Sequence, residues 1–200
     1  ESAFDCFVFK DFKRYSSLAD IPKNITCATS SLRRQAILKH FRPDIQVKPI
    51  RGNIDTRIQL CQTGYADAVL LSTVGLIRLD RYRDIGLICD HTQFIPAPGQ
   101  GVMGVQVCRD RYSDFSFLAD IDHQKQRACS VFERQLLAEI GFDCNDPLGI
   151  YVQINDQAIE LHVCWSDKQL SRYFHKKIVG EVHRIDLKQI ATDIKQSLQG

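Results

Sequence analysis

The 200-residue sequence predicts an α/β fold in two parts: a doubly wound, mostly parallel sheet domain, followed by a small α+β domain with a three-stranded antiparallel sheet. Two patterns support this prediction. Up to residue 79, short apolar strand-like segments alternate with helical ones, as in βαβ units. After residue 140, strand-like segments follow one another across short polar turns, as in an antiparallel meander. We place the domains at residues 6–95 and 123–200, with a hinge at residues 96–119.

The first domain begins with an apolar strand and a helical turn that ends before Pro22. The hydroxyl side chains at residues 29–31 suit a helix N-cap, and Pro43 ends the helix that follows. The turn at residues 52–53 opens the next helix, which stops near Gly64. The predicted strands are residues 4–9, 25–28, 46–50 and 68–71, and the predicted helical segments are residues 17–21, 32–41, 54–62 and 74–79.

The second half of the chain opens with Pro-Ala-Pro-Gly-Gln-Gly at residues 96–101, which predicts a hinge or crossing segment. A strand is expected directly after it. The longest helix is predicted over residues 124–140, because its apolar residues recur close to every 3.6 positions. The further predicted strands are residues 102–107, 148–154, 158–165 and 173–179, and an amphipathic helix at residues 185–198 closes the domain.

Composition and charge narrow the possible function classes. The contents of 44% hydrophobic and 25% charged residues are ordinary for a soluble protein, and no apolar run approaches the roughly 18 residues of a membrane span. A net charge of +2 argues against a large nucleic-acid footprint. We therefore predict a cytoplasmic protein with neither a membrane nor a nucleic-acid partner. Because the chain starts at Glu1 and its single methionine is Met103, we expect that an N-terminal portion is lacking.

The eight cysteines and six histidines show no metal-binding pattern. No Cys-x-x-Cys pair occurs and the histidine spacing is irregular, so no metal site is predicted. Most cysteines lie in apolar strand-like segments and are interpreted as buried thiols. Cys144 differs, because it lies in a loop after the longest helix, where a thiol is more accessible. Spacing alone favours a structural or incidental role for Cys144, with a nucleophilic role as the alternative.

Residues 99–104 fit the pattern G-x-G-x-x-G of dinucleotide-binding loops. That fingerprint requires a strand before it and a helix that opens within it. Here a proline-rich loop precedes the glycines and a strand-like segment follows them. A crossing between domains is therefore favoured, and a nucleotide-binding enzyme is a weak third hypothesis.

Five arginines lie in three consecutive strand-to-helix turns of the first domain. Such turns gather at one edge of an α/β sheet, where ligands bind. Guanidinium groups gathered there would repel one another without an anion, and each presents a planar fork that matches a carboxylate. The free N–H groups of helix N-termini attract anions as well. The sequence therefore predicts a pocket for a polyanion with several carboxylates, formed by Arg33, Arg34, Arg51, Arg57 and Arg78.

Several segments, in order and spacing, resemble the porphobilinogen deaminase (hydroxymethylbilane synthase) family over nearly all 200 residues. Each segment alone is weak evidence for this resemblance, but together the segments are highly specific. They are Thr-Ser-Ser-Leu-Arg-Arg-Gln (29–35), Arg-Gly-Asn-Ile-Asp-Thr-Arg (51–57), Ala-Asp-Ala-Val-Leu-Leu-Ser-Thr-Val-Gly-Leu-Ile-Arg (66–78), Pro-Ala-Pro-Gly-Gln-Gly-Val-Met-Gly-Val (96–105), and Glu-Arg (133–134) with the Cys144 loop.

The resemblance implies an enzyme of tetrapyrrole (haem) biosynthesis that joins four porphobilinogen molecules head to tail and releases ammonia. It further implies three domains, a monomer at full length, and a dipyrromethane cofactor attached through a thioether to a loop cysteine. By this resemblance the cofactor is held covalently by Cys144 and contacted by Ser31, Arg33, Arg34 and Arg51, and the substrate and growing bilane are bound by Arg57 and Arg78.

The sequence also departs from the family pattern. Phe142 and Asp143 stand where two glycines are usual before the cysteine, and Ala28 replaces a glycine. No segment matches the family's His-Ser-Met-Lys-Asp-Val-Pro, which carries the catalytic aspartate. We therefore expect that residues 102–118 are a remnant of the first family domain, that the catalytic residue is unknown here, and that these 200 residues alone are inactive. The alternative is a non-catalytic carboxylate-binding module with a periplasmic-binding-protein-like fold, of the solute-binding type.

Overall fold

The computed structural model describes residues 2–143 and 145–199, and within them the chain forms two sheets with five helices. In chain order the strands and helices are β1 (Asp5–Phe9), β2 (Thr26–Ala28), α1 (Leu32–Phe41), β3 (Gln46–Lys48), α2 (Ile54–Gln62), β4 (Ala68–Ser72), α3 (Thr73–Arg78), β5 (Leu87–Ile88), α4 (Gln124–Ile140), β6 (Leu148–Asn155), β7 (Ala158–Ser166), β8 (Tyr173–Glu181) and α5 (Leu187–Gln199).

The first sheet has five strands in the order β3-β2-β4-β1-β5. Strand β2 is parallel to β3 and to β4, in registers that include Cys27 opposite Val47 and Cys27 opposite Ala68. Strand β1 is antiparallel to both of its neighbours, with Phe7 opposite Leu70 and Leu87. Four of the five strands therefore run in one direction, and the prediction of a mostly parallel sheet is confirmed. The short strand β5 was not predicted.

Apolar residues cover both faces of this sheet, because successive side chains of a strand point to opposite sides. Phe7 packs with Ile37 of α1 on one face. Val8 packs with Ile58 of α2 and Leu76 of α3 on the other face. Helices therefore cover the sheet on both sides, as the doubly wound prediction requires.

The second sheet is an antiparallel meander in the order β6-β7-β8, as predicted. Its core packs Leu136 of α4 and Ile194 of α5 against strand residues such as Leu161. Gly141, at φ +78, takes the left-handed conformation that ends α4. On the opposite side of the sheet, Cys164 joins the apolar cluster around α1. The two sheets therefore share one buried cluster with α1 between them.

The predicted strand at residues 102–107 is wrong. Its backbone takes no strand conformation, and no strand lies beside it in the described part of the chain to accept its hydrogen bonds. Residues 109–121 form successive 3₁₀ turns with non-helical backbone at Arg111 and Phe115. Among the residues that the structure describes, no helix is both long and apolar enough to span a membrane.

Candidate functional site

Two of the predicted arginines converge on a carboxylate that the sequence analysis did not identify. Asp5 of β1 has no solvent exposure. Its Oδ2 accepts a hydrogen bond from Nη1 of Arg33 at 2.8 Å, and its Oδ1 accepts from Nη2 and Nε of Arg34 at 2.8 and 3.2 Å. Burial alone would raise the pKa of Asp5, but the charges of Arg33 and Arg34 lower it to about 2. Asp5 is therefore ionised and anchors both guanidinium groups.

The start of α1 places these arginines at the edge of the sheet. Ser31 caps the helix, since its hydroxyl accepts a hydrogen bond from the Arg34 N–H at 3.4 Å. The neighbouring Ser30 hydroxyl donates to the Ile50 carbonyl at 2.7 Å and accepts from the Ile50 N–H at 2.9 Å. These bonds join the turn after β2 to the turn after β3. Two of the three arginine-bearing turns are therefore held side by side, as the sequence analysis predicted.

Most of the hydrogen-bonding capacity of Arg33 is used within the protein. Its Nη1 also donates to the Ile95 carbonyl at 2.7 Å, and its Nη2 donates to the Gln100 side chain at 3.2 Å. The Gln100 amide in turn donates to Asp5 Oδ1 at 2.9 Å. Arg33 is only 4% exposed. The structure thus places Arg33 behind the site, as a link between α1 and the crossing segment at residues 96–101.

Arg34 and Arg57 meet at a cleft of about 260 Å³. Arg34 belongs to α1 and Arg57 to α2, and Asn53 and Ile54 at the positive end of α2 also line the cleft. Arg34 is fixed on one side by Asp5 and by the Leu70 carbonyl, which its Nη1 reaches at 3.0 Å. The cleft is lined by Arg34, Gly52, Asn53, Ile54, Arg57, Leu71 and Ser72.

Arg57 and Arg34 bring two positive charges to the cleft. Partial burial, and secondly the positive charge of Arg34, lower the pKa of Arg57, which nevertheless stays charged at neutral pH. Its Nε donates to the Gly52 carbonyl at 2.8 Å, which orients the guanidinium. Two cations that face one cleft repel each other, so an anion with two carboxylates would be stabilised there.

The remaining predicted site residues lie outside this lining. Arg51 is exposed next to Gly52, and Arg78, exposed at the end of α3, donates to the Gly101 carbonyl at 3.0 Å. Cys144 lies outside the described residues. Near it in sequence, the Asp143 N–H donates to the Asp146 carboxylate at 2.9 Å.

Asp5 and Glu133 are buried carboxylates that sequence reasoning missed. Asp5 stands alone among apolar residues in the predicted first strand, and an acidic residue in a buried strand is the signal that could have revealed it. Glu133 is 4% exposed on α4 and accepts hydrogen bonds from two backbone N–H groups. Glu133 lies in the Glu-Arg segment that resembles the porphobilinogen deaminase family, but its spacing from the apolar residues of α4 did not indicate that its side chain is buried.

Comparison with known proteins shows which family this sequence resembles. Residues 1–114 match a family model described as porphobilinogen deaminase, dipyromethane cofactor binding domain. The chain is 37% identical over 161 residues to a porphobilinogen deaminase of Chromobacterium violaceum, an alignment that covers 80% of this chain and 51% of the relative. It is 38% identical over 165 residues to that of Streptococcus sanguinis, covering 80% and 53%.

A porphobilinogen deaminase of Clostridium botulinum is 32% identical over 180 residues, which are 90% of this chain and 60% of the relative. The chain therefore spans about half the length of the curated relatives that it matches. The family model covers more than half of the chain, and it includes all the residues that line the arginine cleft. The chain belongs to the porphobilinogen deaminase family.

Proposed function

We propose that this chain is part of a hydroxymethylbilane synthase and that its arginine cleft binds the carboxylates of a dipyrromethane cofactor and of the growing bilane. The observation that carries this proposal is the meeting of Arg34 and Arg57 at one cleft, where positive charge accumulates. Acetate and propionate side chains on linked pyrroles are dicarboxylates of the kind that such a cleft would take.

The residues of the cleft fit that group. Arg34 donates three hydrogen bonds within the protein, so two of its five N–H groups remain for a ligand. The Gly52 carbonyl holds the Arg57 guanidinium at Nε, so the two Nη groups of Arg57 can bind a ligand. Several charge-assisted hydrogen bonds of about 1.5–3 kcal/mol each would hold a polycarboxylate firmly, although such contributions do not simply add.

The other site residues keep the roles that the family resemblance gives them, with one adjustment for Arg33. In this proposal Cys144 holds the cofactor by a thioether, Ser31 and Arg51 act with Arg34 on the cofactor side, and Arg78 acts with Arg57 on the substrate side. Arg33 is buried behind the cleft and serves the cofactor side through Asp5, the carboxylate that also holds Arg34. The cofactor, when bound, supplies a pyrrole with a free α-position to which electrophilic pyrroles add. The Phe142 side chain packs against the hydrophobic core of the C-terminal domain.

The proposed reaction condenses four porphobilinogen molecules and releases ammonia, and we propose that the full-length protein is a cytoplasmic monomer. No segment of these 200 residues resembles His-Ser-Met-Lys-Asp-Val-Pro, so the catalytic carboxylate is assigned to none of them. We therefore expect no turnover of porphobilinogen by the 200-residue chain alone. Steady bilane formation by this chain would refute that expectation.

The second candidate is a non-catalytic carboxylate-binding module with a fold like that of periplasmic binding proteins. The Phe142-Asp143 sequence favours it, because Asp143 is exposed beside the proposed cofactor cysteine and its charge would disfavour a thiolate. The mixed five-stranded sheet, with a turn-rich segment at residues 96–101, is compatible with such a module.

Mass spectrometry of the full-length protein separates the two candidates. The proposal predicts a mass increase equal to one dipyrromethane, located on the peptide that contains Cys144, and its loss together with turnover in Cys144→Ala. Cys108→Ala is the matched control, because Cys108 is an exposed thiol remote in sequence from the proposed attachment. An unmodified Cys144 in a protein that still binds carboxylates would favour the second candidate.

A further inference from the structure

Glu133 is a buried carboxylate that joins three parts of the fold. Its Oε2 accepts a hydrogen bond from the Gly99 N–H at 2.7 Å, and its Oε1 accepts from the Val152 N–H at 3.0 Å. Gly99 belongs to the crossing segment at residues 96–101, Val152 to β6, and Glu133 itself to α4. One side chain therefore connects the crossing segment to the C-terminal domain.

The crossing segment is connected on its other side to the arginine cleft. Gln100, the residue after Gly99, accepts from Arg33 and donates to Asp5. Nearby, the Pro96 carbonyl accepts from the Ile150 N–H of β6 at 2.9 Å. Two hydrogen bonds and the peptide bond between Gly99 and Gln100 thus connect Glu133 of α4 to Asp5, the carboxylate that anchors Arg34.

We propose that Glu133 is a positioning residue of the arginine cleft, whose carboxylate fixes Gly99 and thereby fixes Gln100 against Arg33 and Asp5. This inference goes beyond the proposed function and rests on it only in taking the cleft as the anion-binding site. The two N–H donors bind separate oxygens of Glu133, so the ionised carboxylate satisfies both. A protonated or amidated side chain has one good acceptor and one donor, and therefore loses one of the two bonds.

The protonation state of Glu133 changes in an accessible pH range. Burial raises the pKa of Glu133 to about 7, against the lowering effect of its hydrogen bonds from Gly99 and Val152. The titratable groups that face it are Cys129 on α4 and Tyr151 on β6, and burial raises the pKa of both. Residues 96–101 contain no titratable side chain. Between about pH 5.5 and 8.5 the arginines keep their charge, and Glu133 is the protein group in this path that titrates. The last carboxyl of a small tricarboxylate loses part of its charge toward the lower pH, because its neighbouring carboxylates raise its pKa, and Glu133→Gln measures that contribution separately.

Binding of tricarballylate, a small tricarboxylate without a pyrrole ring, tests the proposal by calorimetric titration at both ends of that range. Beyond the fall that Glu133→Gln shows, we expect wild-type affinity to fall about tenfold from the higher to the lower pH, the equivalent of one charge-assisted hydrogen bond. Glu133→Gln is expected to bind weakly at both pH values. Glu139→Gln, the same change at an exposed position of α4, is expected to behave as the wild type. Wild-type affinity and pH dependence in Glu133→Gln would overturn the proposal.

Amide hydrogen exchange separates this proposal from the proposed function. The Gly99 and Val152 amides of the wild-type protein are expected to lose protection, relative to intrinsic exchange rates, as the pH falls through about 7. This measurement requires neither a ligand nor a variant that folds. If tricarballylate fails to bind the wild type while protection follows pH, the anion site is wrong and the Glu133 contact stands. Protection that does not depend on pH would overturn the Glu133 proposal itself.

Discussion

Asp5 holds Arg34 through two hydrogen bonds to one carboxylate oxygen, from Nη2 at 2.8 Å and from Nε at 3.2 Å. This contact occupies one edge of the guanidinium, Nη1 is held by the Leu70 carbonyl at 3.0 Å, and Arg34 lines the cleft that Arg57 shares. A single buried carboxylate cannot neutralise three neighbouring arginines, namely Arg33, Arg34 and Arg57. The cleft is therefore both pre-oriented and positively charged before any anion binds, which is the arrangement that lowers the cost of binding.

Replacing Asp5 should destabilise the whole domain. In Asp5→Asn the neutral amide leaves two buried guanidinium groups without a counter-charge, so we expect a loss of about 3–5 kcal/mol in the free energy of unfolding. Urea denaturation measures this loss. Asp11→Asn is the control, because Asp11 pairs with Lys13 at the surface, where such pairs contribute less than about 1 kcal/mol. Equal small losses in both variants would show that Asp5 is not the anchor described.

Replacing Arg57 should weaken anion binding without a comparable loss of stability. Arg57→Ala removes a partly exposed guanidinium from the cleft, so we expect affinity for tricarballylate to fall about tenfold or more, in line with one charge-assisted hydrogen bond. Arg57→Lys keeps the charge and loses the planar fork, and should recover only part of the affinity. Arg83→Ala removes an exposed arginine elsewhere and should bind as the wild type. Equal affinities for Arg57→Ala and Arg83→Ala would place the anion elsewhere.

Gly52 is required by the turn that forms the floor of the cleft. Its φ is +106°, and an added Cβ would lie 2.8 Å from Thr56 Cγ2. Gly52→Ala should therefore lower stability by about 1–3 kcal/mol and displace the carbonyl that orients Arg57. Gly104→Ala, at a position with no neighbouring atom within 4 Å, is the control for thermal unfolding and tricarballylate affinity. A Gly52→Ala protein with wild-type melting and affinity would contradict this account of the turn.

Glu133 should make the protein less stable as the pH rises through the weakly acidic range. The pKa of Glu133 in the folded state, about 7, lies above the ordinary value of 4.5. The folded state therefore binds a proton at Glu133 more tightly than the unfolded state does, and this stabilisation is lost as the pH rises from 4.5 to about 7. The stability of the wild type relative to Glu133→Gln should therefore fall across that window, by up to about 3 kcal/mol. Chemical denaturation of both proteins at several pH values measures the difference. A difference that is constant with pH would show that Glu133 titrates normally.

Local signals predicted most of the elements. Helices α1, α2 and α4 begin and end at the predicted residues, because capping side chains, Pro43 and Gly141 mark their ends in the sequence. The meander after residue 140 also followed from its alternating pattern and polar turns. Strand β5 was missed, since two residues are too few to show a period.

Contacts between residues that are distant in sequence were harder to predict. The strand-like residues 102–107 have an apolar pattern that predicts a strand, yet a strand needs a neighbour, and none is present among the described residues. The arginine-rich turns predicted an anion pocket, but not which guanidinium groups face it. Arg33 lies 28 residues from Asp5 in sequence, and the pairing depends on how α1 crosses β1, which no local pattern encodes.

Nuclear magnetic resonance of the arginine side chains during a tricarballylate titration tests the central claim most directly. Resonances assigned to the Nε groups of Arg34 and Arg57 should shift together and saturate at one affinity, while the exposed Arg83 stays unchanged. Absence of a saturable shift at Arg34 and Arg57, or a shift of equal size at Arg83, would contradict the claim that these two arginines form one carboxylate-binding cleft.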